Sequence, residues 1–241
     1  MKLDVLAIAA HPDDAEIGIG GTLLKAKAAG AKIGILDITR GEMGSRGTQA
    51  DRDAETAAAD KVLGLDVRLN LGQPDSRVQV TVEAREALAG HLRRLQPDVV
   101  IAHHPNDLHP DHVAAGELAK SAWYLSGLRR LAEQAGESPR RPPHLYHFFG
   151  HVADSPTLVV DVGDVWEAKE RLIQCYHSQL VPDGADDDGK HFLFGSNILE
   201  RVRTKARYWG ELISAQLGEP LLHQGPLPVD DPLRRWLARS S

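Results

Sequence analysis

The chain has 241 residues, of which 42% are hydrophobic and 26% are charged. This composition is typical of a globular domain large enough for a full core, and it excludes a collagen-like, coiled-coil or disordered chain. Lys and Arg total 28 against 34 Asp and Glu, and the net charge of −6 argues against nonspecific binding to nucleic acid.

Three features of the sequence bear on where the protein works. No apolar run approaches the roughly 20 residues that a membrane helix needs, and residues 1–4 lack the charged-then-apolar pattern of a signal peptide. Cys175 is the single cysteine, so no internal disulfide can form. We therefore expect a cytoplasmic protein that does not associate with membranes.

Buried strands and helices alternate four times along the first half of the chain. Short apolar runs predict strands over residues 3–10, 31–39, 67–71 and 98–102. Helix formers and stop signals predict helices over residues 17–29, 48–63, 82–95 and 112–125. This alternation predicts an α/β fold with a mostly parallel sheet and helices on both faces.

The second half of the chain is less regular. We predict strands over residues 145–149 and 158–162 and helices over residues 165–180 and 197–217. Residues 183–189 form an acidic stretch, interpreted as a solvated connector without the spacing of an EF-hand loop. No internal repeat or linker divides the chain. We therefore expect one domain over residues 1–241, with its core at about 3–217 and a carboxyl-terminal extension at 218–241.

The 12 histidines of the chain are unevenly distributed, and seven of them lie in two short stretches. The second stretch contains His144, His147 and His151. A strand has a side-chain period of two, so it would not place all three on one face. We interpret them mainly as structural or rim residues.

The first histidine stretch has a counterpart elsewhere in the sequence. Residues 11–14, HPDD, follow the first predicted strand, and residues 103–112, HHPNDLHPDH, follow the fourth. In a doubly wound sheet these two strands flank the point where strand order reverses, and ligands bind outside their carboxyl ends. We therefore expect the two clusters to lie side by side.

Imidazole and carboxylate groups at such a place are typical of a metal site. His11, Asp14 and His112 form a set of three ligands suited to catalytic Zn²⁺. Asp13 is then placed to take a proton from a metal-bound water. His109 would act beside the metal, on a developing oxyanion or a leaving amine.

Other interpretations of these residues remain open. Two histidines and one carboxylate also form the facial triad of non-haem iron oxygenases. Alternatively, the protein is a non-enzymatic binding module in which the clusters only cap helices, with Asp14 capping the first one. The glycines of residues 18–21 do not complete a dinucleotide-binding pattern, because position 23 is Leu.

Several motifs together resemble the PIG-L/LmbE-like zinc deacetylases. The first is the segment 10–18, AHPDDAEIG, and the second is the HPDH of residues 109–112. Three further matches are residues 39–48 followed by Arg52, residues 70–75 and residues 176–179. The resemblance covers residues 3 to about 217 and is greatest to the N-acetyl-α-D-glucosaminyl-L-malate deacetylases of bacillithiol biosynthesis.

The resemblance implies a Rossmann-like fold and hydrolytic removal of acetate from an N-acetylglucosaminyl conjugate, a small-molecule substrate. It assigns Zn²⁺, with Fe²⁺ or another divalent metal as alternatives, to His11, Asp14 and His112. It makes Asp13 the base and gives His109 an electrostatic or acid role. It also implies a homo-oligomer, a hexamer or a trimer. The substrate contacts that it implies are Met43, Arg52 and Arg141.

The sequence departs from this resemblance in one respect. Some relatives place a tyrosine before the last helix, where it is proposed to hold the oxyanion. Residues 190–199 contain Phe192 and Phe194 but no tyrosine. We expect this contribution to be absent or to come from another donor such as His191.

Overall fold

The computed structural model describes residues 1–44, 46–152, 154–180, 198–223 and 225–227. Its centre is a seven-stranded sheet with the strand order β3-β2-β1-β4-β5-β7-β6. The first five strands are parallel, whereas β7 runs antiparallel to β5 and β6. The strands are β1 (Val5–Ala9), β2 (Ile33–Asp37), β3 (Val67–Asn70), β4 (Val99–His103), β5 (His144–Phe148), β6 (Leu158–Asp161) and β7 (Gly218–His223).

Helices cover both faces of the sheet. One core joins alternate residues of β1, such as Leu6 and Ile8, to α3 and α4, and the other joins Ala7 and Ala9 to α1, α2 and α6. The predicted α/β architecture is therefore confirmed. In the part of the chain described, no helix is long and apolar enough to cross a membrane. The helices are α1 (Asp14–Ala28), α2 (Gln49–Leu63), α3 (Val82–Leu95), α4 (Pro110–Ser126), α5 (Arg129–Gln134), α6 (Trp166–Gln174), α7 (His177–Leu180) and α8 (Ile198–Glu211).

The strand order reverses between β1 and β4, as the sequence predicts. These strands pair in parallel from Val5 opposite Val99 to Ile8 opposite Ala102. The chain segments that leave their carboxyl ends therefore begin next to each other. This register brings the HPDD segment beside the histidine-rich segment that follows β4.

The second half of the chain differs from the predicted elements. The helix expected over 165–180 is interrupted before α7, because Tyr176 is buried and its hydroxyl donates to Glu16 Oε1 at 2.8 Å. The last helix ends at Glu211, not 217. There the chain turns back so closely that a Cβ on Gly210 would lie 2.7 Å from the Leu217 nitrogen. Helix α5 was not predicted. Residues 183–189, His191, Phe192 and Phe194 lie outside the described residues.

The segment 218–223, placed in the extension by the sequence, is instead an inner strand of the sheet. Glu219 of β7 accepts hydrogen bonds from the backbone amides of Gly21 and Thr22 at 2.8 and 2.7 Å. The helical backbone of α1 is interrupted at Ile19, whose φ is −138°. The amides that follow the interruption are therefore available to an acceptor outside the helix. Lys169 donates to the same buried carboxylate at 2.6 Å. The second half of α1 is therefore capped by a residue from the last strand.

The glycines of α1 have a packing role. A Cβ on Gly18 would lie 2.6 Å from the Phe148 ring, and one on Gly21 would lie 2.9 Å from Glu219 Oε1. Both distances are shorter than real Cβ contacts, and Gly21 would also meet Val162 Cγ1 at 2.7 Å, so a side chain at either position would have to displace its neighbours. The glycine cluster therefore allows α1 to approach the sheet, and this accounts for it without a bound dinucleotide.

Candidate active site

His11, Asp14 and His112 converge at the carboxyl ends of β1 and β4. His11 Nδ1 lies 3.2 Å from Asp14 Oδ2, and His112 Nε2 lies 3.3 Å from Asp14 Oδ1. One possible ligand atom from each residue lies within 4.8 Å of the others. The side chains are between 5% and 14% exposed. The structure thus brings the predicted ligand set together.

Local backbone geometry explains how adjacent aspartates take different positions. Asp13 precedes α1 with a left-handed φ of 111°, and its side chain makes no capping hydrogen bond. The His11 backbone amide donates to Asp14 Oδ2 at 2.8 Å. Asp14 therefore binds the histidine segment and does not cap the first helix, contrary to the capping alternative. A left-handed conformation at a non-glycine residue is strained, which is typical of functional sites.

The HPDH segment forms the first turn of α4. His109 is the N-cap, and its Nδ1 accepts from the Asp111 amide at 3.2 Å. Pro110 has the fixed φ that suits the first helical position. His109 thus caps α4, while His112, one residue beyond Asp111, lies beside Asp14 and His11.

The three residues fit a divalent cation. Their donors are two imidazoles and a carboxylate, the set found in catalytic zinc sites. Burial raises the pKa of Asp14, but its interactions with His112 and His103 outweigh burial and hold the pKa well below its ordinary value. Burial lowers the pKa of His112, but the charge of Asp14 prevails and raises it to about 9. A buried carboxylate thus stays ionised where positive charge collects around it.

Two overlapping groups could also hold a metal ion. They are His11, His109 and Asp111, and Asp107, His112 and His151. Each shares a histidine with the set containing Asp14. The three groups therefore form one continuous cluster.

Asp13 faces Arg52 of α2. The Asp13 carboxylate lies 3.3 Å from Arg52 Nη1, and Nη2 donates to the Pro12 carbonyl at 2.8 Å. Burial raises the pKa of Asp13 to about 7, against the charge of Arg52, which lowers it, while the charge of Asp14 raises it further. A carboxyl group with this pKa is suited to exchanging protons near neutral pH.

His109 lies edge-on to His11, with the ring centroids 5.0 Å apart. Burial, together with the charge of His112, lowers its pKa below 6.5. The imidazole is therefore neutral at pH 7. Because Nδ1 accepts from the Asp111 amide, Nε2 carries the hydrogen. A neutral imidazole with its hydrogen on Nε2 is suited to donating a hydrogen bond to developing negative charge. It is less suited to acting as an acid that is already protonated before the reaction.

Residues without an assigned role in the sequence surround His11 and Asp14. His11 Nε2 lies 3.2 Å from Asp75 Oδ1 and 3.3 Å from Asp111 Oδ2. His103 Nε2 lies 3.0 Å from Asp14 Oδ2. Burial lowers the pKa of His103 to about 4. Asp75 and Asp111 stand within the recognised motifs, so the sequence signalled their importance but not their contacts.

The second histidine stretch divides between two places. His151 stacks on His112 with ring centroids 5.1 Å apart, and its Nδ1 lies 2.8 Å from Asp107 Oδ1. His147 is buried, with Nδ1 2.7 Å from the His103 carbonyl oxygen, and His144 pairs with the first residue of β4. The structure therefore brings His151 to the site but leaves His147 and His144 in the body of the sheet.

The three expected substrate contacts also differ in position. Met43 is 61% exposed, and its amide donates to Asp75 at 2.8 Å, beside His11. Arg52 is buried against Asp13. Arg141 instead donates to the Tyr124 carbonyl at 3.0 Å and lies over the Tyr124 ring. Tyr124 is twelve residues beyond His112 on α4, about 18 Å along the helix. The structure therefore does not bring Arg141 to the site of its own chain.

The cluster lies in the region of the chain that matches a known family. The model of the PIG-L family, described as GlcNAc-PI de-N-acetylase, matches residues 6–123. Diacetylchitobiose deacetylase of Thermococcus kodakarensis is 30% identical over 192 residues, which are 74% of this chain and 71% of that protein. The chain belongs to the PIG-L family.

Other PIG-L relatives carry different substrates in their names. A 1D-myo-inositol 2-acetamido-2-deoxy-alpha-D-glucopyranoside deacetylase 2 of Catenulispora acidiphila is 30% identical, over 95% of this chain and 91% of that protein. A protein of Bacillus anthracis named "Probable N-acetyl-alpha-D-glucosaminyl L-malate deacetylase 2" is 30% identical, over 49% of this chain and 58% of that protein. A solved structure, a conserved protein from Thermus thermophilus, superposes with a TM-score of 0.81 at 42% identity, covering 94% of this chain and 96% of that one.

Proposed function

We propose that this PIG-L family member is a metal-dependent hydrolase that removes the acetyl group from an N-acetylglucosaminyl conjugate. The observation that carries the proposal is the meeting of His11, Asp14 and His112 next to Asp13, a carboxyl group with a pKa of about 7. Membership of a deacetylase family supports it. The separate base favours hydrolysis over an oxygenase reaction, which uses the same ligand types.

In the proposed reaction His11, Asp14 and His112 hold the metal ion. When bound, a divalent metal polarises a carbonyl and brings the pKa of water to near 7. Asp13 takes the proton of the attacking water, and Arg52 holds the carboxylate in place. The amide C–N bond breaks, the acyl carbon keeps the hydroxyl as acetate, and the amine leaves with the proton from Asp13. His109 directs its Nε2 hydrogen toward developing negative charge.

Zn²⁺ is the metal that we propose, with Fe²⁺ as the alternative. The mixture of nitrogen and oxygen ligands, three in number, supports zinc, because catalytic zinc sites leave a fourth position for water. Metal analysis of protein purified without added metal tests this. Oxygen consumption during turnover would indicate the oxygenase reaction instead.

N-acetyl-α-D-glucosaminyl L-malate is the substrate that we propose. The sequence motifs and the Bacillus anthracis relative support it, whereas the inositol and chitobiose deacetylases show that related chains are named for other conjugates. The test is amine release from N-acetylglucosamine, from its malate and inositol conjugates and from diacetylchitobiose. Preference for a conjugate other than malate would overturn the substrate but not the deacetylation; no amine release from any of them would overturn both.

We also propose that residues 1–241 act as one domain in a cytoplasmic homo-oligomer, a hexamer or a trimer. The resemblance to the zinc deacetylases supports the assembly, and the single cysteine supports the location. Light scattering coupled to gel filtration measures the number of subunits. A monomeric mass at working concentration would contradict the assembly.

A further inference from the structure

A cavity of about 550 Å³ adjoins the candidate metal ligands. It touches Asp14 and His112 and extends along α1 to Glu219 of β7. Its volume lies within the roughly 300–1,000 Å³ of small-molecule sites. A group bound in it would thus be continuous with the atoms at the proposed reaction centre. The methyl group of an acetamide would fill only a small part of this space.

The walls of the cavity are mainly apolar. Ile17 from α1, Phe148 and Phe149 from the end of β5, and Val202 and Trp209 from α8 all line it. Polar side chains also line the cavity, among them Arg201, Thr204 and Lys205 of α8, but they make up the smaller part of its wall. The apolar surface suits a flexible hydrocarbon group, whose transfer out of water is favourable.

Residues near the metal ligands that do not line the cavity have different chemistry. They include Asp13, Arg52 and Asp75, and the amide of Met43 is bonded to Asp75. These groups can exchange hydrogen bonds with a sugar. Because an amide has an acyl side and an amine side, this division of polarity matches its two substituents, with the sugar on the polar side and the acyl group in the cavity.

We propose that the cavity is an acyl-chain subsite and that the enzyme hydrolyses N-acyl amino sugars with hydrocarbon chains longer than acetyl. This inference rests on the proposed amide hydrolysis. Water adds its hydroxyl to the acyl carbon, the C–N bond breaks, and the proton held by Asp13 goes to the amine. The products are a fatty acid and an amino sugar, so no further reactant is required.

The first test is a chain-length series with the metal-loaded enzyme. N-acetyl-, N-butanoyl- and N-hexanoylglucosamine share the same sugar, and kcat/KM is expected to rise by about fourfold for each buried methylene. A fall in kcat/KM with chain length, while N-acetylglucosamine is hydrolysed, would overturn the subsite alone. Failure to hydrolyse the butanoyl and hexanoyl members would overturn the subsite, whereas the proposed function falls only if N-acetylglucosamine and all of its conjugates release no amine.

A parallel series distinguishes the acyl chain from the other end of the substrate. Methyl, butyl and hexyl glycosides of N-acetylglucosamine extend the aglycone and keep the acetyl group. Their kcat/KM is expected to stay within about twofold across the series. A rise with the glycosides and none with the acyl chains would overturn the assignment, because the cavity would then receive the aglycone.

Variants of α8 link the chain-length effect to the cavity. Val202→Phe narrows it and is expected to lower the hexanoyl-to-acetyl ratio of kcat/KM at least about tenfold, and Thr204→Phe repeats the test at a more exposed lining residue. Arg207→Phe is the control, since Arg207 is 60% exposed and does not line the cavity. Circular dichroism verifies folding. An unchanged ratio in both folded lining variants contradicts the proposal.

Binding supplies a readout independent of turnover. With the Asp13→Asn variant, calorimetry is expected to give a lower Kd for N-hexanoylglucosamine than for N-acetylglucosamine, again by about fourfold per methylene. The same titration with Asp13→Asn combined with Val202→Phe should lose most of this difference. Equal Kd values for the two sugars in Asp13→Asn would contradict an acyl-chain subsite.

Discussion

The Asp13 carboxylate faces the Arg52 guanidinium, with Oδ2 and Nη1 3.3 Å apart and both side chains largely buried. Arg52 Nη2 also donates a hydrogen bond to the carbonyl of Pro12, the residue before Asp13. Gly41 has a φ of +66°, and a Cβ there would lie 2.8 Å from the guanidinium. The close approach of this loop keeps Arg52 against the base. The arginine therefore holds the Asp13 carboxylate in position.

Asp13→Asn tests the base. Asparagine keeps the size of the side chain but cannot take a proton, so kcat is expected to fall by about 10²–10⁴. Bound metal should remain near one ion per chain, because Asp13 is outside the proposed ligand set. Asp53→Asn is the control, since Asp53 is 53% exposed and pairs with Arg40. Full activity in Asp13→Asn would rule out the assignment.

His11→Ala tests the ligand set. Removing one of three protein ligands is expected to leave the purified protein with little metal, which elemental analysis after gel filtration measures. His144→Ala is the matched control, because His144 lies at the amino end of its strand, opposite Val99. Chelation of the wild type should abolish activity, and added Zn²⁺ should restore it. Stoichiometric metal in folded His11→Ala would contradict the site.

Arg141→Ala tests whether Arg141 contributes to the site of its own chain. Its guanidinium is bound at the far end of α4. The kcat/KM for the N-acetylated substrate is therefore expected to stay within about twofold of the wild type. A large rise in KM would be the contrary result. It would mean that Arg141 reaches the substrate of a neighbouring copy.

Glu219→Ala tests the cap of α1. The change removes the acceptor of two helix amides and leaves Lys169 buried without its carboxylate. Breaking a buried ion pair from one side costs about 3–5 kcal/mol, so the free energy of unfolding in urea is expected to fall by that amount. Asp164→Ala, which breaks an exposed pair with Lys25 on the same helix, should cause a much smaller loss.

A double substitution refines this prediction. Lys169→Met combined with Glu219→Ala also removes the unpaired charge, so it should be less destabilising than the sum of the single changes. Simple additivity of the two losses would show that the ion pair contributes no coupling. The cap would then act through its hydrogen bonds alone.

His147 predicts an acid-dependent loss of stability. Burial lowers its pKa from 6.5 to about 4, so between these values the unfolded chain binds the proton and the folded chain does not. Stability is therefore fully present above pH 6.5 and falls as pH decreases toward 4, by up to about 3 kcal/mol. His147→Asn keeps a donor for the His103 carbonyl and does not titrate. Its unfolding free energy should vary less between pH 7 and 5; an unchanged slope would contradict the prediction.

The part of the fold that sequence reasoning predicted is the part with regular patterns. The strands β1, β2 and β4 are short apolar runs buried on both faces, and α2 begins with a capping box at Thr48. Strand β7 has no such pattern, because Glu219 and Pro220 interrupt its apolar residues. Glu219 is buried because it caps α1, a helix that is distant from it in the sequence.

In the candidate site, too, some features follow from the sequence pattern and others depend on contacts made in the folded chain. Topology alone brought the HPDD and HPDH segments together, because strand order determines which carboxyl ends meet. The contacts of Asp75 and His151 depend on how loops return to the cluster, and no periodicity encodes that. The position of Arg141 could not be predicted for a related reason. Its place in the sequence does not determine which end of the neighbouring helix α4 its side chain contacts.

The broken helix α1 also has a consequence for the order of assembly during synthesis. Gly21 and Thr22 are synthesised 198 and 197 residues before Glu219, whose carboxylate caps them. The helix that carries part of the proposed metal site therefore cannot complete its contacts until synthesis has reached β7. A nascent chain that has formed β1 to β4 still lacks a finished α1.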